Sequence, residues 1–397
     1  MEEKKYYEVY PQNDGKFVKV NLDKEHMPFK LLAHPDKLKK YIGGEEINPI
    51  HVRVGLTNSC NLKCNFCNFH STNEETFYDE FTYKDTIDTS KMKKYIKDFK
   101  DSGGMAITFC GSGECTIHKE YIEICQYANK TGVQIGLITN GSMLANHELL
   151  ECIKNTHTWV RIGLNAGSPE TYQLITSSNS SNFNNILKAI RYLHENALCD
   201  EFRIGVNFVI TLQNYKEIYM AGITAKSAGA NYIRFEPEFY SALAHKTIYK
   251  KIIEINELLE LTSKLREKDF EVSIPKLDRG AMTETDLIEG EFEKCHYCNF
   301  VTALGANGCM YPCPQIHLNS KYNMGNAINE GYTNWLKSGQ KNIWLSHNSD
   351  RTATCKTCFY RPQNELLEKL VNGDLILEDV IKEYTEENTY TLHKNFI

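Results

Sequence analysis

Between residues 51 and 275 the chain alternates short apolar runs with amphipathic stretches. The runs HVRVGLT, MAITFCG, VQIGLIT, WVRIGLN, FRIGVNFVIT and NYIRFEP are brief, rich in β-branched residues and apolar nearly throughout, a pattern that predicts strands buried on both faces. Between them KMKKYIKDFKDSGG, KEYIEICQYANKTG, NNILKAIRYLHENA and YKEIYMAGITAKSAGA carry apolar residues at helical spacing, and three of these close on the glycine that commonly follows a helix end. Six strand–helix units in succession call for a parallel sheet covered by helices. Because parallel crossovers are right-handed, such a sheet curls in one sense, into a partial barrel or an open doubly wound sheet.

Outside this region the texture changes. Residues 1–50 mix charges with two short strand-like pieces and read as an extension packed on the barrel. Residues 290–362 are rich in Cys, Asn, Gly and Tyr with few long apolar runs, as expected of a small domain held by a metal rather than by a core. Residues 363–397 form a tail in which 364–387 predict one or two helices.

At 397 residues, 41% hydrophobic and 24% charged, the chain can bury a large core. Its formal net charge of −6 is spread along the sequence, so neither nucleic acid nor an anionic membrane is indicated as a partner. No stretch approaches the roughly 18 consecutive apolar residues of a membrane helix, and MEEKKYYEVY has no apolar run behind its charges, which predicts a soluble, cytoplasmic protein. Fourteen cysteines in such a chain argue for metal or redox chemistry rather than disulfides. Cys60, Cys64 and Cys67 fall together, six more lie between 295 and 358, and Cys110, Cys115, Cys125, Cys152 and Cys199 are scattered, as expected of buried small apolar residues.

In CNLKCNFC the three thiols follow directly on the first strand. Three cysteines in one tight loop can bind three irons of a cubane and leave the fourth iron open, whereas an electron-carrying cluster normally has four cysteine ligands. The alternative, a structural zinc, needs a fourth ligand, for which His70 is the nearest candidate. This CxxxCxxC arrangement, with Phe66 just before the third cysteine, resembles the radical S-adenosylmethionine (SAM) superfamily over roughly residues 50–275. The resemblance implies a [4Fe–4S] cluster on Cys60, Cys64 and Cys67, SAM on the open iron, and Phe66 near the adenine. It also selects the partial barrel, so the fold class expected is α/β, a partial (β/α)6 TIM-like barrel with a small C-terminal iron–sulfur (Twitch/SPASM-like) domain. The second strand ends in GSGE, similar to the family's GGE motif, where the glycines Gly111 and Gly113, on either side of the candidate Ser112, let the backbone approach the ligand and Glu114 would accept the ammonium of SAM. Cys115 stands where the family often has proline. The third strand ends in TNG with Asn140 and the fourth in LNAGS with Asn165, at the strand ends where ligands of such folds gather. In the fourth segment Gly163 and Asn165 replace the family's S-x-D, so a hydroxyl and a carboxylate are absent there. Asn207 and Arg234 are further candidates to face the cavity, with a structural role the alternative.

The segment CHYCNFVTALGANGCMYPC, followed by CKTC, resembles the Twitch form of the SPASM appendage of radical SAM enzymes. That resemblance implies one auxiliary [4Fe–4S] cluster on Cys313, Cys355 and Cys358 with either Cys295 or Cys298 as the first ligand; we favour Cys295. Cys298 then becomes a spare thiol and a candidate catalytic hydrogen-atom donor. Zinc is again the alternative, because paired cysteines in a Gly-rich lobe also hold structural zinc.

Implied by the resemblance is an enzyme that takes one electron from a flavodoxin- or ferredoxin-type donor, cleaves SAM to a 5′-deoxyadenosyl radical and removes a hydrogen atom from its substrate. HPDKLKKYIGGEEINPI resembles lead-ins of radical SAM proteins of carbohydrate and secondary-metabolite pathways and points to a small metabolite such as a sugar derivative. A peptide-modifying maturase is the alternative within the family, and a non-catalytic iron–sulfur electron carrier the alternative of another class.

Overall fold

The computed structural model describes residues 29–70, 78–238, 248, 250–275, 292–341, 358, 360–387 and 391–397, with the backbone of two further strands at 7–11 and 17–21. Its elements run β1 (Tyr7–Pro11), β2 (Phe17–Asn21), α1 (Pro35–Ile42), β3 (His51–Val54), α2 (Thr89–Asp101), β4 (Ala106–Phe109), α3 (Tyr121–Lys130), β5 (Gln134–Thr139), α4 (His147–Thr156) and β6 (Trp159–Gly163). They continue with α5 (Pro169–Thr176), α6 (Ser181–Glu195), β7 (Arg203–Ile210), α7 (Ile218–Ser227), β8 (Tyr232–Pro237), α8 (Ile252–Ser263), β9 (Glu271–Ser273), β10 (Val301–Leu304) and β11 (Met310–Tyr311). Last come α9 (Ala327–Glu330), α10 (Tyr332–Lys337), α11 (Arg361–Asn372) and α12 (Leu377–Glu387).

All six expected strands are present as β3 to β8, and they pair in parallel in sequence order. Three more join them. Short β9 extends the sheet beyond β8, while β10 pairs in parallel with β3 and carries β11 antiparallel on its outer side. The nine-stranded sheet is open, a partial barrel rather than a closed one. The sequence did not announce the added strands: β9 has three residues, and β10 reaches its partner across some 250 positions of chain, which no local periodicity records.

Alternation along each strand sorts the side chains. Val52, Val54, Ile107, Phe109, Ile135 and Leu137 face outward into one core with Met92, Ile96, Ile124 and Ile153 of α2 to α4. The positions between them, including His51, Arg53, Thr108 and Arg161, therefore face the barrel interior. Sharp helix starts set the packing: Asp88 accepts from Ser90 N at 2.9 Å and Lys91 N at 3.1 Å at the head of α2, and Asn146 does the same for α4.

The N-terminal end of the barrel is closed by the last residues of the chain. Phe396 packs on Trp159 and Ala106, and His51 Nδ1 lies 3.0 Å from the carbonyl oxygen of Ile397. A second core joins Leu31, Leu38 and Ile50 to Phe300, Leu366, Leu370 and Val380, so the segment before β3 and helices α11 and α12 pack together beside the sheet. Of the five scattered cysteines, Cys115, Cys125 and Cys152 are buried as expected. Cys199 is exposed, in the surface turn between α6 and β7, and Cys110 is half-buried at the end of β4.

Candidate active site at the barrel mouth

The cysteine loop leaves the end of β3 and is held from three sides. Lys63 N and Asn65 N donate to the last carbonyls of α5, Thr176 O at 3.1 Å and Ile175 O at 3.0 Å. Tyr83 Oη donates to Cys60 O at 3.1 Å, and Cys67 N closes a turn onto Cys64 O at 3.1 Å. Phe66 sits in this turn, half-buried. Burial pushes the Cys60 and Cys67 thiols up from the ordinary range, and burial together with the neighbouring thiols takes Cys64 up to about 12. Three thiols so placed become thiolates only beside a concentrated positive charge, the condition an iron–sulfur cluster supplies. A lone ion fits less well: no three His, Cys, Asp or Glu side chains among the described residues converge on one centre, and the Nε2 of His70 lies 2.9 Å from Ser112 O. The donor set therefore suits a cubane bound through Cys60, Cys64 and Cys67.

The GSGE turn at the end of β4 docks directly on that loop. Glu114 N donates to Ser59 O at 2.9 Å, and Ser112 Oγ donates to Asn58 Oδ1. Gly113 makes the approach possible: a Cβ there would stand 2.3 Å from Ser59 O and 2.4 Å from Thr57 O. Glu114 is buried at 4% exposure, and its Oε1 accepts from Thr116 N (3.1 Å), Thr116 Oγ1 (2.6 Å) and Thr139 Oγ1 (2.7 Å). Its Oε2 accepts from Asn140 N at 2.7 Å, leaving Oε2 as the oxygen with acceptor capacity to spare. The TNG turn thus locks the GSGE carboxylate. Asn140 Nδ2 in turn donates to Asn61 Oδ1 at 3.0 Å and lies 3.8 Å from Cys60 Sγ.

These bonds define an expected result. In Glu114→Gln the oxygen must stay at Oε1 to serve three donors, so the amide nitrogen faces Asn140 N, donor against donor. SAM affinity is expected to fall by about 10- to 150-fold, the loss of about 1.5–3 kcal/mol from a charged hydrogen-bond partner. Equilibrium dialysis with labelled SAM measures it; unchanged affinity would reduce GSGE to a turn.

Asn165 lies across the mouth from this cluster of turns, in the left-handed backbone region that asparagine tolerates (φ 55°). Its Oδ1 accepts from Val209 N at 2.9 Å and its carbonyl oxygen from Asn214 Nδ2 at 2.9 Å, so much of its polar capacity ties β6 to β7. Glu217 secures the rest of LNAGS, accepting from Gly167 N at 2.7 Å and Ser168 Oγ at 2.6 Å. Neither Asn214 nor Glu217 was singled out from sequence, since each acts on a loop about 50 residues away.

The C-terminal cysteines collect elsewhere, on the flank extended by β10. Cys298 is buried and its Sγ donates to Cys295 O at 3.0 Å. The adjacent Cys298 thiol holds Cys295 below the ordinary thiol range despite burial, while burial raises Cys298. Asn364, fully buried and unremarked in the sequence, knits the lobe: its Oδ1 accepts from Tyr297 N at 2.9 Å and its Nδ2 lies 3.8 Å from Cys358 Sγ. Cys313 Sγ takes Gln315 N at 3.5 Å, and Cys298 feels the charge of Cys313. Structure thus brings Cys295, Cys298, Cys313 and Cys358 to one lobe; Cys355 lies outside the described residues. Cys309 faces Asn326 Nδ2 at 3.6 Å. A cleft of about 790 Å³ between the starts of α2 and α3 contains none of the predicted site residues, although Thr57 and Ser59, which lead into the cysteine loop, are among its lining.

Fold and mouth together define a parallel partial barrel whose first strand feeds a three-cysteine loop against a GSGE carboxylate. Residues 54–220 match the Radical SAM superfamily, and this part of the chain is a radical SAM domain, a class that implies a [4Fe–4S] cluster and SAM. Among curated relatives, the Fe-coproporphyrin III synthase of Methanosarcina barkeri is 25% identical over 56% of this chain and 54% of its own length. The S-adenosylmethionine-dependent nucleotide dehydratase of Selenomonas ruminantium is 28% identical over 42% of this chain and 58% of its own. The chain thus spans a little over half the length of these relatives. Among solved structures, Streptococcus suis SuiB bound to S-adenosylmethionine superposes with a TM-score of 0.59 at 14% identity, covering 91% of this chain and 95% of that one, a likeness of fold. No helix among the described residues is long and apolar enough to cross a membrane.

Proposed function

We propose that this protein is a radical SAM enzyme acting on a small metabolite, with Cys60, Cys64 and Cys67 as cluster ligands and Glu114 as the acceptor for SAM. The observation that carries the reading is the direct docking of the GSGE turn on the cysteine loop, through Glu114 N on Ser59 O and the close approach at Gly113. Bound there, the cluster and SAM would supply one-electron cleavage of SAM and a 5′-deoxyadenosyl radical that takes a hydrogen atom from the substrate, the chemistry of the cofactors themselves. The chain's part is to hold the ligands. Asn140 and Thr139 fix the Glu114 carboxylate, the Ser112 hydroxyl bonds Asn58 while Gly113 brings backbone against the loop, and Phe66 offers an apolar face beside it. The curated relatives include a nucleotide dehydratase, which supports a small-metabolite substrate. Anaerobic protein reduced with dithionite should release 5′-deoxyadenosine from SAM; no release would leave the electron-carrier reading. A flavodoxin- or ferredoxin-type protein would serve as the natural donor.

We assign the C-terminal lobe to a second [4Fe–4S] cluster on Cys295, Cys313, Cys355 and Cys358. Supporting Cys295 is its neighbour's hydrogen bond, in which Cys298 donates inward rather than presenting a second acceptor. Cys295→Ala should therefore lose the auxiliary iron, about four atoms per chain, while Cys298→Ala keeps it. If Cys298 is instead the hydrogen-atom donor to the substrate radical, its alanine variant still cleaves SAM yet fails to give the normal product. Iron analysis and product analysis on the same samples separate these results, and equal iron loss in both variants would mean that both thiols are ligands.

A further inference from the structure

The inner face of the partial barrel carries three arginines. Arg53 on β3, Arg161 on β6 and Arg234 on β8 all occupy inward positions, since their strand neighbours Val52, Val160 and Ile233 pack outward against the helices. Below them the barrel is filled. Trp159 lies across Gly136, where a Cβ would meet its ring at 2.4 Å, and Tyr232 lies across Gly205, where the distance would be 2.0 Å. Arg161 is held on this aromatic floor, 5.6 Å from each of the two ring centroids, with Nε donating to Tyr232 Oη at 3.0 Å. Arg234 stands one inward position nearer the mouth, its Nη2 2.6 Å from Glu236 Oε1.

Arg53 has no such partner. Its Nε is buried without a hydrogen bond among the described residues, and the strongest fields on it come from Tyr360, Cys110, Tyr297 and Cys313, none of them a carboxylate. The three inward positions turn the guanidinium groups toward one interior, where Arg53 and Arg161 repel one another and the Glu236 carboxylate that pairs with Arg234 also acts on Arg161. A second polar atom faces the same interior unsatisfied, Asn207 Oδ1, which stands opposite Arg234 in the β7–β8 register. Buried donors and acceptors are normally paired, and like charges gathered in a partly enclosed interior repel, so an arrangement of this kind is built for a molecule that completes it. The missing complement is an oxyanion on the arginine side and a hydroxyl or amine on the asparagine side. Guanidinium groups match phosphate and carboxylate through paired N–H donors.

We infer that the barrel interior binds the phosphate or carboxylate of a small anionic substrate on Arg53, Arg161 and Arg234, with Asn207 accepting a hydrogen bond from the same molecule. This rests on the radical SAM reading of the mouth and names the substrate class for it. Among the described residues Arg53 gives up no hydrogen bond when it is replaced, which separates this role from a structural one.

The test uses the full chain with its clusters, anaerobic and saturated with SAM, titrated calorimetrically with pyrophosphate in one arm and succinate in the other. At least one probe should bind at one equivalent, and the tighter arm tells phosphate from carboxylate. Arg53→Gln and Arg234→Gln should each weaken that probe about 10-fold or more, as expected for loss of a charged hydrogen-bond donor. Arg53→Lys should recover part of the affinity, and the melting temperature of Arg53→Gln should equal or exceed that of the parent. Absence of binding by both probes, or affinity unchanged in both glutamine variants, overturns the inference. So does loss of SAM affinity or of auxiliary iron in Arg53→Gln with probe binding intact, which would give the guanidinium to SAM or to the second cluster. 5′-Deoxyadenosine release is measured on the same protein: if it fails while the arginine-dependent binding holds, the radical reading falls and the anion site stands, and the converse result removes the anion site alone.

Discussion

Alanine at Cys60, Cys64 and Cys67 together should remove one cubane, about four irons per chain, and bring 5′-deoxyadenosine formation to background. The C-terminal lobe should keep its iron, because Cys295, Cys298, Cys313 and Cys358 are positioned by Asn364, His296 and the β10 pairing rather than by the first loop. The fold should also survive. The loop's backbone contacts with α5 run through Lys63 N and Asn65 N, which the substitutions do not touch, and the half-buried thiols carry little of the apolar core. Removing three half-buried thiols costs the metal-free chain little. Iron content, the cluster absorption band and chromatographic detection of 5′-deoxyadenosine check the three parts. Undiminished SAM cleavage in this variant would refute the cluster assignment.

Gly113→Ala should be almost as damaging by a different route. The added methyl group would lie 2.3 Å from Ser59 O, 2.4 Å from Thr57 O and 2.6 Å from Asn58 C, all backbone atoms of the segment leading into the cysteine loop. No side-chain rotation relieves such contacts. Either GSGE lifts away, breaking the Glu114 N to Ser59 O bond and withdrawing the carboxylate from the loop, or the loop itself moves and the thiols lose their placement. Overpacking of this kind costs roughly 1–3 kcal/mol in stability, and the displacement should reduce SAM binding by more than Glu114→Gln does. Denaturant midpoint and SAM affinity are the measurements; a variant with parental values in both would show that the close approach at Gly113 is dispensable.

Much of the barrel was legible because its strands are buried on both faces and announce themselves as unbroken apolar runs. HVRVGLT, MAITFCG, VQIGLIT, WVRIGLN, FRIGVNFVIT and NYIRFEP all became strands of one parallel sheet in sequence order. The candidate site was legible for a related reason: cysteines, glycines and a carboxylate at strand ends are unusual in composition and fixed in spacing, so CNLKCNFC and GSGE stood out without any knowledge of contacts. Other features left no local trace. Strand β10 is an ordinary VTAL until it finds β3, and the terminal Phe396 is one aromatic among many until it closes the barrel floor on Trp159. Thr139 and Asn140 could be placed at a strand end, but that they clamp Glu114 depends on two adjacent strands ending level. Sequence by itself determined the elements and the reactive residue types, because both are set by neighbours along the chain. Tertiary structure alone decided which groups share a space and which lack a partner: Arg53, Arg161 and Arg234 are more than 70 residues apart and become one charged surface only when the sheet curls and turns its inward positions toward a common interior.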